Sequence, residues 1–251
     1  MSTSVLFFIV FGCVFGAAYL ATRLRAAMPE HHLSADTKDT VKLAMGLVAT
    51  MSALVLGLLV ASAKGNYDAE KNSVTAMSAK IVMLDRVLAH YGPEAKPSRD
   101  LLHQSVEKMI ARLWPDKESE PAQLDPTHSS GEALYDAMQS LAPRDDAQRQ
   151  LKSQALGVAV DLGQMRWLMF EQSGRSISWP LLTVVVFWLA ILFFSFGLFA
   201  PPNGTARAAL LVAALSVSGA IFLILELDQP FDGLIHISGS SMQNAINHLG
   251  K

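Results

Sequence analysis

Apolar residues crowd into four blocks, and polar residues fill what lies between them. The blocks run from Val5 to Ala21, Val41 to Ala63, Trp179 to Ala200 and Ala206 to Leu225. Crossing a hydrocarbon core of roughly 30 Å takes about 20 apolar residues as helix. The last three blocks meet that length. The first is slightly short, which less tilt or a local thinning of the bilayer accommodates. In lipid the backbone must satisfy its own hydrogen bonds, so each block predicts a transmembrane helix.

Outside the blocks the periodicity changes. Val74, Met77, Ile81, Leu84, Leu88 and Tyr91 alternate steps of three and four, as do Leu151, Ala155, Val158, Leu162, Met165 and Met169. That is the pattern of a helix with one buried seam. No strong breaker separates the second block from the first series before Gly92-Pro93. The second series runs towards the third block, with a bend expected at Ser178-Trp179-Pro180, because the residue before a proline disfavours helix. Two long helices are therefore expected to leave the membrane and pack antiparallel. Between them, Leu101 to Leu113 places Leu102, Val106, Met109, Ile110 and Leu113 on one face and stops at Trp114-Pro115. Residues 116–131 read as a loop, with Pro121, Pro126, Ser129 and Ser130. Glu132 to Leu141 reads as a short helix. Pro143 to Asp146 starts the returning helix, with acidic residues at its positive end. Strand signals are almost absent; only Leu234 to Ser238 alternates briefly. Ser240 to Leu249 predicts a small helix with Met242, Ile246 and Leu249 on one face, either along the membrane surface or under the stalk.

The fold class that follows is an all-α membrane protein, with four transmembrane helices and a helical, coiled-coil-like insert between the second and third. Residues 1–63 hold the first two spans and their loop, 64–178 the soluble stalk, 179–225 the third and fourth spans, and 226–251 an interfacial C-terminal segment. Four spans put both termini and the insert on one side, and loops 23–40 and 201–205 on the other. Basic residues favour the inside. Arg23, Arg25, Lys38 and Lys42 make the first loop basic, while Lys64, Lys71, Lys80, Arg166 and Arg175 flank the boundaries of the insert. The two tallies nearly cancel and do not choose a side. Met1 to Ser4 carries no basic residue, and the charges follow the first block, so that block reads as a retained span. Val10-Phe11-Gly12-Cys13 is faintly similar to a lipoprotein cleavage box, but the apolar run continues past it.

Charge and composition narrow the chemistry. Of 251 residues, 51% are apolar and 17% charged, with a net charge of -2 and a pI of about 6.4. Nothing there is an electrostatic footprint for nucleic acid. The insert carries 14 Lys/Arg and 16 Asp/Glu, a mixed solvated surface. Cys13 is the single cysteine, so no disulfide forms within one chain. No HExxH, CxxC, Walker, dinucleotide or GxSxG motif occurs. His31-His32, beside Glu30, point apart and do not chelate one ion alone. No catalytic residue, cofactor or metal is assigned, and an enzyme is not expected.

Two features remain. Ala49, Ala53, Gly57, Ala61 and Gly65 recur every four residues in the second span. Small stripes let helices approach closely in a membrane. The reading favoured by that rule is packing within the chain; the other is a subunit interface or pore wall. Gly12 and Gly16 make a shorter stripe in the first span. The third span, with Phe187, Trp188, Phe193, Phe194 and Phe196, is bulky all round and expected to face lipid. Ser52 and Ser62 are expected to bond back to the helix or to a neighbour. The second feature is polar. Glu226, Asp228 and Asp232 follow the fourth span around Gln229-Pro230, and the topology brings Lys64, Asn66, Asp68, Glu226 and Asp228 to one interface. Acidic groups there are costly unless paired or hydrated, so they form a candidate ion path. The plainer alternative is a helix end stopped by Pro230, with structural ion pairs worth little when exposed.

Two stretches carry a resemblance: Leu58-Leu59-Val60-Ala61-Ser62-Ala63-Lys64-Gly65-Asn66-Tyr67-Asp68, and Glu226-Leu227-Asp228-Gln229-Pro230-Phe231-Asp232-Gly233-Leu234-Ile235. They resemble the signature stretches of the bacterial bestrophin-like membrane family, and the layout is similar over nearly the whole chain. Gln229 stands where a basic or acidic residue is more usual, and Asp232 where a serine is common. The resemblance implies a multi-pass protein of the bacterial inner (plasma) membrane. Its distant likeness to bestrophins, pentameric anion channels with large cytosolic helical parts, implies a cytoplasmic insert and a pore lined by the second span. That is analogy at the level of fold. The acidic cluster itself suits cations better. Two functions follow as expectations: an oligomeric ion channel or pore, or a membrane scaffold or signalling protein acting through its stalk. The expected partners are the lipid bilayer, further copies of the chain and small inorganic ions.

Overall fold

The computed structural model describes residues 3–25, 27–29, 34–115, 122, 131–173, 178–201 and 203–250. Among them every regular element is helical: α1 (Thr3–Arg25), α2 (Ala35–Tyr91), α3 (Lys96–Leu113), α4 (Gly131–Gln139), α5 (Asp146–Ser173), α6 (Trp179–Phe199), α7 (Gly204–Leu227) and α8 (Ser240–His248), with one 3-10 turn at Pro93–Ala95. Four of these, α1, α2, α6 and α7, are long and apolar enough to cross a membrane. The chain divides into two compact units, Met1–Asn66 with Ile177–Asp228, and Tyr67–Ser176 with Gln229–Lys251.

In the first unit α1 packs against both α6 and α7. Val10, Val14, Ala18 and Ala21 recur at helical spacing and are its buried face. They meet Val185, Leu189, Leu192 and Phe193 of α6, Ala214, Ile221 and Ile224 of α7, and Leu59 and Ala63 of α2 in one apolar core. Gly197 lies against the backbone of Ala18, where an added Cβ would collide with the Ala18 carbonyl. The Arg25 guanidinium donates to the Ala200 carbonyl just past α6. A cation there complements the negative end of the helix. It also sets the C-terminal ends of α1 and α6 side by side. Phe7, near the start of α1, meets Phe222, near the end of α7, edge to face at 6.0 Å. So α1 runs with α6 and against α7, as alternating spans require. The Asn203 side chain caps α7 by accepting the Ala206 N–H at 2.8 Å.

Three expectations change here. The first span is not short: α1 has 23 residues, about 35 Å of helix, because polar residues at both ends continue it. The bulky third span is not the one turned most to lipid. A third of its apolar window, 33%, is buried, the largest share of the four. Leu182, Val185, Leu189, Leu192 and Phe193 face inward, while Phe187 and Phe196 face out. Residues large on every side hide which face packs; Gly197 was the marker. Of the small stripe of the second span, Ala49 packs on the core of its own chain and the other four residues do not. Ala53, Gly57, Ala61 and Gly65 are exposed and Ala49 half-buried. The buried residues of this stretch are Ser52, Leu59 and Ala63, on a different face.

The second unit is built on the two seams. Val74, Met77, Ile81, Leu84, Leu88 and Tyr91 of α2 share a core with Ala155, Val158 and Met169 of α5, flanked by Leu151, Leu162 and Met165. Lys80 and Asp161 pair across these helices at 2.5 Å. α2 ends where Gly92 takes a φ of 125°, a conformation that only glycine adopts without strain. α3 starts at Lys96, ahead of the expected Leu101, because Pro97 fits its first turn. The Asp145 carboxylate caps α5, accepting the Gln148 N–H at 2.7 Å. α8 buries Met242 and Ala245 and packs on α3; its apolar face is spent inside this unit. Most of the expected loop 116–131, and Glu30, His31 and His32, lie outside the described residues.

Candidate functional site

The first candidate feature is the outward face of α2. At about 100° per residue, Gly46, Thr50, Ala53, Gly57, Ala61 and Lys64 fall within one sector of the helix. All six are exposed. Ser52, Leu59 and Ala63 lie roughly opposite and are buried. Only 11% of the apolar window of α2 is buried, the least of the four spans. An added Cβ at Gly46, Gly57 or Gly65 would meet nothing within 4 Å. Thr50 turns its hydroxyl back to the Gly46 carbonyl at 2.9 Å, and Ser52 bonds to Val48 at 2.8 Å. The hydroxyls of Thr50 and Ser52 are therefore satisfied by their own helix.

The five polar candidates do not share one environment. Lys64 and Asn66 are exposed on α2, and by helical phase they point to nearly opposite sides. Glu226 is only 3% exposed, one residue before the end of α7. Asp228 is half-buried and caps that helix. Asp68 lies one turn beyond Lys64 and belongs to the second unit. Lys64, Asp68, Glu226 and Asp228 each have an interaction partner. Glu226, being buried, is therefore not on the exposed face of the chain. Of the five, Lys64 is the charge that shares the small-residue face.

The stretch after α7 has a structural task that its sequence did not announce. In the second unit Asp232 donates its N–H to the Gln229 carbonyl at 3.1 Å, and Ile237 donates to Pro230 at 2.7 Å. Gly233 takes a φ of 91° at the bend. This folds the chain onto Trp114. The Trp114 indole donates to the Ile237 carbonyl at 2.7 Å, Phe231 meets its ring edge at 6.1 Å, and Gly239 lies against it so closely that a Cβ would sit 3.0 Å from the ring. Tyr67, in the first signature stretch, reaches the carbonyl of His236, one residue past the second, at 3.5 Å. The signal for this anchor was Trp114-Pro115, read only as a helix stop.

A buried ion pair was also missed. Asp85 is 1% exposed and takes two bonds from Arg99, at 2.7 and 2.9 Å. The Gly250 N–H adds a third contact at 3.3 Å. The hydrogen bond to Asp85 holds the Arg99 guanidinium above its ordinary value, against the opposing effect of burial. The sequence signal was a carboxylate one turn after Ile81, inside the apolar seam. Among the described residues no group of three or more His, Cys, Asp or Glu is placed to hold a metal ion.

Comparison with known families matches the Bestrophin-like domain over residues 10–242. No curated protein and no solved structure matches the chain.

Proposed function

Because the chain belongs to the bestrophin-like family, we propose that it is an oligomeric membrane protein in which α2 from several copies lines an ion-conducting path. The observation that carries this reading is the exposed small-residue face of α2. Lipid tails gain little from glycine and alanine, whereas helices pack closely through them. The apolar window of α2 is the least buried of the spans, as expected of a helix that awaits neighbours from other copies. Lys64 stands at one end of this face and Lys42 at the other, the latter paired with Asp39 at 3.5 Å. We assign the selectivity charge to Lys64 in place of Glu226, since an ion responds to charges exposed to its path. The bilayer, further copies of the chain and small inorganic ions are its partners in this reading, and no catalytic step is assigned.

Flux through liposomes holding the purified protein tests the proposal. Conductance that shifts towards cations in Lys64→Glu, and is unchanged in selectivity in Glu226→Gln, is the expected result. No flux under any ion gradient from a folded oligomer would count against it.

A second reading keeps some support. The seams of α2 and α5 are spent inside one chain, which weakens a scaffold acting through them. Yet Val160, Trp167 and Leu168 remain exposed on α5, an apolar stripe of the kind that partner helices use. Replacing all three by Ser removes capture of a partner under the scaffold reading and leaves flux untouched under the channel reading.

A further inference from the structure

A cavity of about 590 Å³ lies between α2, α3, α4 and α5 in the second unit. Met77, Ile81, Val106, Met109 and Leu162 give it apolar walls, and Arg166 is its cation. Small-molecule sites are typically cavities of roughly 300–1,000 Å³, apolar with a few placed polar groups. Arg166 is half-buried and has no hydrogen bond or ion pair with any described residue. Burial, and then the nearby Arg112, hold its guanidinium below its ordinary value. Glu132 and Asp136 of α4 also line the cavity, but neither is bonded to Arg166. A half-buried arginine with no bonded partner among the described residues has donors to spare, and an anion that enters beside it can take them.

We infer that the cavity binds a small amphipathic anion, a carboxylate or similar head on an unbranched apolar chain, with the head on Arg166 and the chain against Met77, Ile81, Val106 and Met109. A purely apolar ligand would leave the guanidinium without a partner. A purely polar anion would leave the apolar wall wet. The planar fork of Arg166 suits a carboxylate, which it can hold by two parallel bonds.

Gly163 gives a clean way to block the site. It lines the cavity, and a Cβ there meets nothing within 4 Å. Gly163→Leu therefore fills space without a backbone clash and favours the α5 helix. Arg166→Gln removes the charge and orphans no described partner. The test is calorimetric titration of the full-length protein, in phosphatidylcholine nanodiscs, with octanoate and with octanol. Octanoate is expected to saturate one site per chain, and octanol to bind at least about tenfold more weakly, the equivalent of one charge-assisted bond. Arg166→Gln should bring octanoate down to the octanol level, and Gly163→Leu should abolish both. Repeating the titration with phosphatidylglycerol in the disc separates the two sources of such an anion. Competition identifies an anionic lipid, and its absence a soluble carboxylate. Equal binding of octanoate and octanol, or octanoate binding unchanged by Arg166→Gln, would overturn the inference.

Discussion

Tyr91 closes the α2 seam with its ring, but its hydroxyl is buried and has no hydrogen-bond partner. Burial, and then the Glu94 carboxylate, push the phenol above its ordinary value of 10.0. Below that pH the phenol is neutral in both folded and unfolded chains, and ionisation takes nothing from stability. As pH rises further the unfolded chain ionises first, so the native state loses ground. Tyr91→Phe should remove this alkaline loss and, by deleting an unsatisfied polar group, stabilise the insert by about 1 kcal/mol. Urea unfolding followed by circular dichroism at neutral and alkaline pH measures both effects. Arg99 is the opposite case. Its removal strands Asp85, which is 2% exposed at its side chain, so Arg99→Ala should cost about 3–5 kcal/mol in the same assay. Periodicity located Tyr91 in the seam but could not show that its hydroxyl lacked a partner. It also gave no hint that Asp85 is tolerated in the core, because the compensating arginine arrives from another helix.

Between elements, α1 and α6 approach closely at Gly197, and Trp114 anchors the start of the C-terminal segment. Gly197→Leu should drive α1 from α6, since the clash is with backbone and cannot be relieved by a rotamer change. Loss of thermal stability in detergent, by several degrees or more, reads this out; an unchanged midpoint would show that the helices are not held there. Trp114→Ala removes the bond to Ile237 and the face on which Gly239 lies. Its expected cost is about 3–5 kcal/mol, typical of a large aromatic cut from a core, and limited proteolysis should then cleave within residues 229–251. The helices themselves were legible in the sequence, because length, apolarity and a three-four rhythm specify them without reference to neighbours. The packing partners were less so. In lipid, apolar residues are equally suitable inside and outside, so the phenylalanines of α6 say nothing about its direction, and the glycines of α2 look the same whether the partner is in the same chain or another.

For the whole molecule, the small face of α2 changed in meaning once its exposure was known. Read from the sequence, it was a stripe with two possible partners, one of them in the same chain. Its residues are exposed and the apolar window of α2 is the least buried of the four spans, which supports the proposal that its partner is another copy. Glu226, a candidate for the ion path or a plain helix end in the sequence, is a buried carboxylate at the end of α7. The most direct test of the central claim is the mass of the purified protein in its detergent micelle, by native mass spectrometry, for the wild-type chain and for Gly57→Leu. We expect the wild type to form a closed ring of more than two copies and the variant to dissociate, since its side chain stands on the proposed interface and meets nothing in its own chain. A wild-type protein that is a monomer or simple dimer, or a Gly57→Leu ring as stable as the wild type, would contradict it.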